Sequence, residues 1–284
     1  MGIENKRTME VAVLSDLHLG TFGCNAVEIV QYLKSIQPRI LVLNGDIIDI
    51  WQFRKKYFPP AHIQVIREVF KLMETGTQVY YITGNHDEAL RKYSGTKVGN
   101  LTIDDKLVLE LDGKKTWIFH GDVFDATTKG SAKIIAKLGG HGYDFLIWMN
   151  YWINKILTMM GKEKRSFSKA VKNSVKKAVS WISDFETTAG ELALKNGFDY
   201  VICGHIHQPQ KRTFESNGLK TTYLNSGDWI ENLTSLEYAK GQWEIFEFNT
   251  SKKSQSSFQI DSYPESKIPD VITEKVAFWI QSAL

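Results

Sequence analysis

A chain of 284 residues, 43% hydrophobic and 24% charged, can bury a substantial core as one large domain or one domain with a sizeable insertion, and its composition is that of an ordinary soluble globular protein. Two cysteines, Cys24 and Cys203, stand too far apart for a metal-finger spacing and read as a buried, reduced pair in a cytosolic protein. The opening M-G-I-E-N-K-R holds no apolar signal core, so export by the usual route is not expected; the net charge of +3 excludes little as a total, unlike its distribution.

Residues 11–14 form an apolar run that stops at Ser15-Asp16-Leu17-His18. Apolar spacing over 24–36 predicts a helix, with Pro38 marking its exit, and 40–43 predicts a buried strand ending at Asn44-Gly45-Asp46, with Asp49 three residues on. Residues 62–73 repeat apolar side chains at helical spacing, and 79–82 is a third strand, closed abruptly by Thr83-Gly84 before Asn85-His86-Asp87. Strands alternating with helices predict an α/β (α+β) class, with helices outside a sheet and sites at the strand ends.

Beyond Asp87 the pattern changes to short strands at 101–103, 108–111 and 116–119, with Asp112-Gly113 as a hairpin turn and His120-Gly121-Asp122 closing the last. Residues 200–203 predict a strand ending at Gly204-His205-Ile206-His207; 211–214, 221–225 and 243–248 are three more. Residues 250–268 are polar and serine-rich and read as a linker, before a terminal helix over 271–284. No internal repeat is found.

Collected from the strand ends, Asp16, His18, Asp46, Asn85, His120, His205 and His207 are two carboxylates, one amide and four imidazoles, with no thiolate. Each alone has a structural reading: Asp46 as a turn residue, Asn85 as a helix cap, His120 as a hydrogen-bonded core histidine. As an ordered set, always after a buried strand, they suit borderline divalent ions, manganese foremost and iron or zinc after it. Seven donors exceed one tetrahedral ion and match two ions sharing a carboxylate, the clamp used in phosphoester hydrolysis.

The order D-x-H, G-D-x-x-D, G-N-H-D, H-G-D and G-H-x-H resembles the calcineurin-like metallophosphoesterase superfamily over about residues 10–230. The resemblance implies a two-sheet β-sandwich flanked by helices. It also implies one ion on Asp16, His18 and His207, a second on Asn85, His120 and His205, and Asp46 bridging them. His86 matches a histidine that helps stabilise the transition state and protonates the leaving oxygen; Asp87 either orients it or caps the following helix.

About eighty residues separate H-G-D from G-H-x-H, and 129–180 carries eleven Lys or Arg against Asp144 and Glu163 alone. Arg165, Lys169, Lys172 and Lys176 lie four, three and four apart, one side of a predicted helix, and are candidate substrate contacts with Asn85, His86 and His205. Before them, 143–160 as a helix has one narrow polar stripe, Asn150, Asn154 and Thr158, and is otherwise apolar and aromatic, with Asp144 and Lys155 near its ends. Three readings stay open for it: packing against the core or another subunit, lining a groove for acyl chains, or lying in a membrane interface.

Such an insertion, taken as 125–196 within a single domain of 1–284, is similar to the UDP-2,3-diacylglucosamine diphosphatase group of lipid A synthesis. That group cleaves a pyrophosphate beneath a lid that receives acyl chains. It typically has arginine where this chain has His86, so the chain reads as a sister branch. The expectation is a cytoplasmic hydrolase of an amphiphilic phosphate, peripheral on the inner membrane face, with a homodimer left open and no nucleic-acid motif. The competing class is a membrane-surface or nucleic-acid binding protein on the same scaffold.

Overall fold

The computed structural model describes residues 6–50, 57–124 and 168–249, with the backbone alone over 168–179. Two compact units divide the chain: Met1–Gly121 with Ala189–Leu284, and Asp122–Thr188. In chain order come β1 (Arg7–Leu14), α1 (Ala26–Ser35), β2 (Ile36–Asn44), α2 (Pro60–Glu74), β3 (Gln78–Ile82), β4 (Thr96–Val98), β5 (Leu101–Asp104), β6 (Lys106–Leu111) and β7 (Lys114–Phe119). After them come α3 (Ser168–Lys195), β8 (Tyr200–Cys203), β9 (Gln210–Ser216), β10 (Leu219–Asn225), β11 (Thr234–Ala239) and β12 (Gln242–Glu247).

The first unit holds a seven-stranded sheet ordered β12-β11-β1-β2-β3-β5-β4 and a five-stranded sheet ordered β6-β7-β8-β10-β9. Parallel pairing runs through the middle of each: β1 with β2, β2 with β3 and β3 with β5 in the first, β7 with β8 and β8 with β10 in the second. Antiparallel strands close the edges. This is the expected α+β architecture.

Period-2 alternation explains why β1, β2 and β3 read as unbroken apolar runs. Ala12, Leu14, Leu41, Leu43, Val79 and Tyr81 join one buried cluster with Ile29, Leu33, Val65 and Leu72 of α1 and α2. Val11, Val13, Ile40, Val42 and Ile82 join another with Leu109, Ile118, Ile202 and Leu224 of the second sheet. A three-element layering follows: helices, large sheet, small sheet. Each fully buried aliphatic side chain contributes roughly 1.5–3 kcal/mol.

Two boundaries differ from the sequence expectation. α1 ends at Ser35 and Ile36 already opens β2, so Pro38 lies inside a strand rather than at a helix exit. Pro38 pairs with Met9 of β1, while pairing with β3 begins only at Ile40 opposite Gln78. Its missing N–H therefore costs no ladder bond on the β3 side, and Thr77 Oγ1 donates to its carbonyl at 2.8 Å. The pattern also missed β4 and β11, because T-K-V is wholly exposed and T-S-L-E-Y-A has only two large apolar residues, with a glutamate between them.

In the second unit, Phe124 and Phe185 meet edge to face at 5.4 Å, with Trp181 6.0 Å from Phe185. The expected basic face lies on α3 for Lys169, Lys172 and Lys176; Arg165, the 143–160 helix, the linker at 250–268 and the terminal helix at 271–284 lie outside the described residues. Both cysteines are free, as expected, and burial pushes the Cys24 thiol up to about 12.

His62 of α2 is buried and accepts the Gly20 amide through Nδ1 at 2.9 Å, so it must stay neutral. Burial pulls its pKa down from 6.5 to about 4. The unfolded chain then binds more protons between these values, and this contribution, full above about 6.5, is lost as the pH falls towards about 4. In the metal-stripped protein, melting temperatures of wild type and His62→Gln should converge by a few degrees over that window. A constant difference would show that the imidazole carries no such charge penalty.

Candidate metal centre

Every donor collected from the sequence lies just beyond the carboxyl end of a parallel strand, where open α/β sheets place their sites. The large sheet presents Asp16 and His18 after β1, Asp46 after β2, and Asn85 and His86 after β3. The small sheet presents His120 after β7, and His205 and His207 after β8. Backbone bonds tie these loops together. The amides of Asp16 and His18 donate to Gly45 and Asp46 carbonyls at 3.1 and 2.9 Å, and the Gly204 amide donates to the His120 carbonyl at 3.0 Å.

Three groups of metal-type ligand atoms result, each within 4.8 Å: Asp16, His18 and His207; Asp46, His120 and His205; and His18, Asp46 and His86. Asp46, 2% exposed, belongs to two of them. Its Oδ2 stands 3.2 Å from His120 Nε2 and 4.0 Å from His86 Nε2, while Oδ1 accepts the His86 amide at 2.8 Å. Asp16 is fully buried, with Oδ1 3.1 Å from His207 Nε2 and Oδ2 accepting the His205 amide at 3.2 Å.

The backbone here is strained. Among the described residues nine non-glycine residues have positive φ, and five are Asp16, His18, Asp46, His205 and His207. The other four flank hairpins or open β11, whereas these five aim side chains into one cleft; such conformations cost on the order of 1 kcal/mol each and cluster at functional sites. Three glycines admit the close packing, Gly204 among them, where a Cβ would collide with the Asp16 carboxylate. A Cβ on Gly84 would collide with the Asp46 carboxylate, and one on Gly45, at φ +80°, with the His120 ring.

His18 Nε2 and Asn85 Oδ1 are buried with no hydrogen-bond partner, which is rare in a native interior. Burial pushes the Asp46 carboxyl up, but His120, His18 and His86 outweigh it and hold it below the carboxylate range. Asp16 is likewise lowered, by His207 and His120 against its burial. His207 is driven well above 6.5 by Asp16 and Asp228, although burial opposes this. Protons thus balance a concentration of carboxylates that a cation would otherwise neutralise. Imidazole, carboxylate and amide atoms without thiolate fit a borderline divalent ion.

Around these donors, two acids outside the collected set fix the rings. Asp49 Oδ2 lies 3.2 Å from His18 Nδ1 and 3.0 Å from His86 Nδ1, and Asp228 Oδ2 lies 3.3 Å from His207 Nδ1. Asp228 was legible, since Ser226-Gly227-Asp228 follows the apolar end of β10 as the other clusters follow theirs. For Asp87, neither expected role matches its contacts. Its Oδ1 accepts the Gly84 amide at 2.6 Å, and its Oδ2 accepts the Ile47 amide at 3.0 Å and Tyr81 Oη at 2.6 Å. It braces the loop, it makes no side-chain cap to the turn Glu88–Tyr93, and His86 turns to Asp49 instead.

The profile of the Calcineurin-like phosphoesterase family matches residues 9–209, the span carrying all five motifs. The chain belongs to that family. It is a metal-dependent hydrolase of phosphoester bonds. It is similar to the UDP-2,3-diacylglucosamine hydrolase of Aliivibrio fischeri (strain MJ11), 26% identical over 236 residues, covering 81% of this chain and 95% of that protein. The enzyme of that name from Vibrio vulnificus (strain CMCP6) is 27% identical over 241 residues, covering 81% and 93%. Among solved structures, an archaeal phosphodiesterase aligns with TM-score 0.39 and 14% identity over 84% of this chain and 99% of that one. Among the described residues of this phosphoesterase, no helix is long and apolar enough to cross a membrane.

Proposed function

We propose that this phosphoesterase holds two divalent ions, manganese foremost, and cleaves the pyrophosphate of a nucleotide-linked lipid such as UDP-2,3-diacylglucosamine. Asp16, His18 and His207 hold one ion, Asn85, His120 and His205 the other, and Asp46 is shared. The supporting observation is that Asp46 stands in ligand groups with His18 on one side and with His120 and His205 on the other. Bound ions would supply Lewis acidity at the phosphoryl oxygens and ionise water near neutral pH.

The chain's own residues do the rest. His86 is lowered by burial, but Asp49 and Asp46 overcome this and raise its pKa above 6.5, favouring the imidazolium. With Nδ1 directed at Asp49, Nε2–H faces the cleft and donates its proton to the departing oxygen. The Asn85 amide, beside it in the chain, donates to a phosphoryl oxygen. The insertion over 125–196 would receive acyl chains beside the basic residues Arg165, Lys169, Lys172 and Lys176, on the cytoplasmic membrane face. The lipid assignment draws on the relatives' names and this basic face.

His86 itself favours a second reading, since arginine is typical of the lipid A group at that position: a phosphomonoesterase or phosphodiesterase of other specificity. The purified protein with manganese should release UMP from UDP-2,3-diacylglucosamine at least tenfold faster than it hydrolyses bis(p-nitrophenyl) phosphate. Turnover of the aryl ester with the nucleotide lipid left intact would establish the second reading.

A further inference from the structure

Asp228 sits where a new role can be separated from a structural one. It is 1% exposed, on the loop after β10. Its Oδ1 accepts three backbone amides, those of Ile230, Glu231 and Asn232, at 3.0, 2.7 and 2.9 Å. Its Oδ2 faces His207 Nδ1 at 3.3 Å and accepts from Asn232 Nδ2 at 3.2 Å. The same loop grips both chain segments beside it: Asn232 Nδ2 donates to the His207 carbonyl at 2.7 Å, and the Trp229 amide donates to the Asp16 carbonyl at 3.2 Å. One carboxylate therefore shapes a loop with one oxygen and addresses an imidazole with the other.

We propose that Asp228 is a positioning residue that fixes the tautomer and orientation of His207, so that its Nε2 lone pair is presented beside Asp16. A ring nitrogen can ligate only when unprotonated, so the proton of neutral His207 must sit on Nδ1, and a carboxylate acceptor there holds it in place. The inference rests on the metal assignment above and adds the group that determines which nitrogen of His207 is available. Asp228 touches neither ion nor substrate; it acts through the ring.

Asp228→Asn separates the two roles. The three backbone amides keep the amide oxygen in the Oδ1 position, so the loop survives, while an NH2 donor replaces the acceptor opposite Nδ1. The ring must then move its proton to Nε2 or swing away. Calorimetric titration of the metal-stripped protein with manganese should show two ions in wild type. In the variant, one site should weaken about 10–100-fold and the other hold, with the far-ultraviolet circular dichroism of the metal-free protein unchanged. Two sites of wild-type affinity in the variant overturn the role of Asp228 while leaving the metal assignment intact. Fewer than two ions in wild type remove the metal assignment and this role with it. Should the variant fail to fold, nitrogen-15 chemical shifts of the zinc-loaded wild type decide: Nδ1–H at His207 upholds the role, and Nε2–H overturns it.

Discussion

Replacing Asp46 by alanine should cut hydrolysis of an aryl phosphate with manganese by at least about a thousandfold, because it removes both the shared anion and much of the preorganised field around the reacting phosphorus. The loss follows from position. Asp46 is the acid that ligand groups from both sheets have in common, and its carboxylate lies against His120 while taking the His86 amide. Metal content measured by elemental analysis should fall with activity, while the protein remains folded because hydrophobic clusters on both faces of the large sheet are untouched. Full turnover in Asp46→Ala would refute metal catalysis at this centre.

Replacing His86 by alanine should lower kcat about 100- to 10,000-fold on an alkyl phosphate ester, whose oxygen needs a proton to depart. The same variant should lose far less on a p-nitrophenyl ester, whose phenolate leaves unaided. Metal content should hold at the wild-type level, since the two triads of Asp16, His18, His207 and of Asp46, His120, His205 form without His86. Equal losses on both esters would argue against proton donation, and loss of both ions would make His86 a ligand instead. The ring is well placed for the test: Asp49 Oδ2 lies 3.0 Å from Nδ1 and the side chain is 29% exposed, open to a substrate.

The donor set was legible because the physics that buries a parallel strand also ends it visibly. Val79, Tyr81 and Ile82 face apolar layers, and the chain must become polar where those layers stop. That contrast marked Asp16, Asp46, Asn85, His120 and His205 without any structure. Asp49 and Asp228 stood in visible places in the chain, but the roles of both were hidden for a different reason. Their task is to face other side chains, and spacing along the chain carries no trace of a contact such as that between Asp228 and His207, across loops from two strands. Asp87 was misread because its neighbour His86 suggested a pairing, while its partners Tyr81, Gly84 and Ile47 satisfy a buried anion with three donors. Pro38 misled because a residue without an N–H is tolerable wherever the neighbouring strand has not yet begun.

Five of the donors hold left-handed backbone angles, a conformation that glycine alone adopts without penalty. Glycine at any of those places would relieve the backbone torsion and remove a group the phosphate chemistry needs. Durability and reactivity therefore pull on the same few torsions in opposite directions, and a lineage drifting towards heat resistance at these positions would discard its chemistry first.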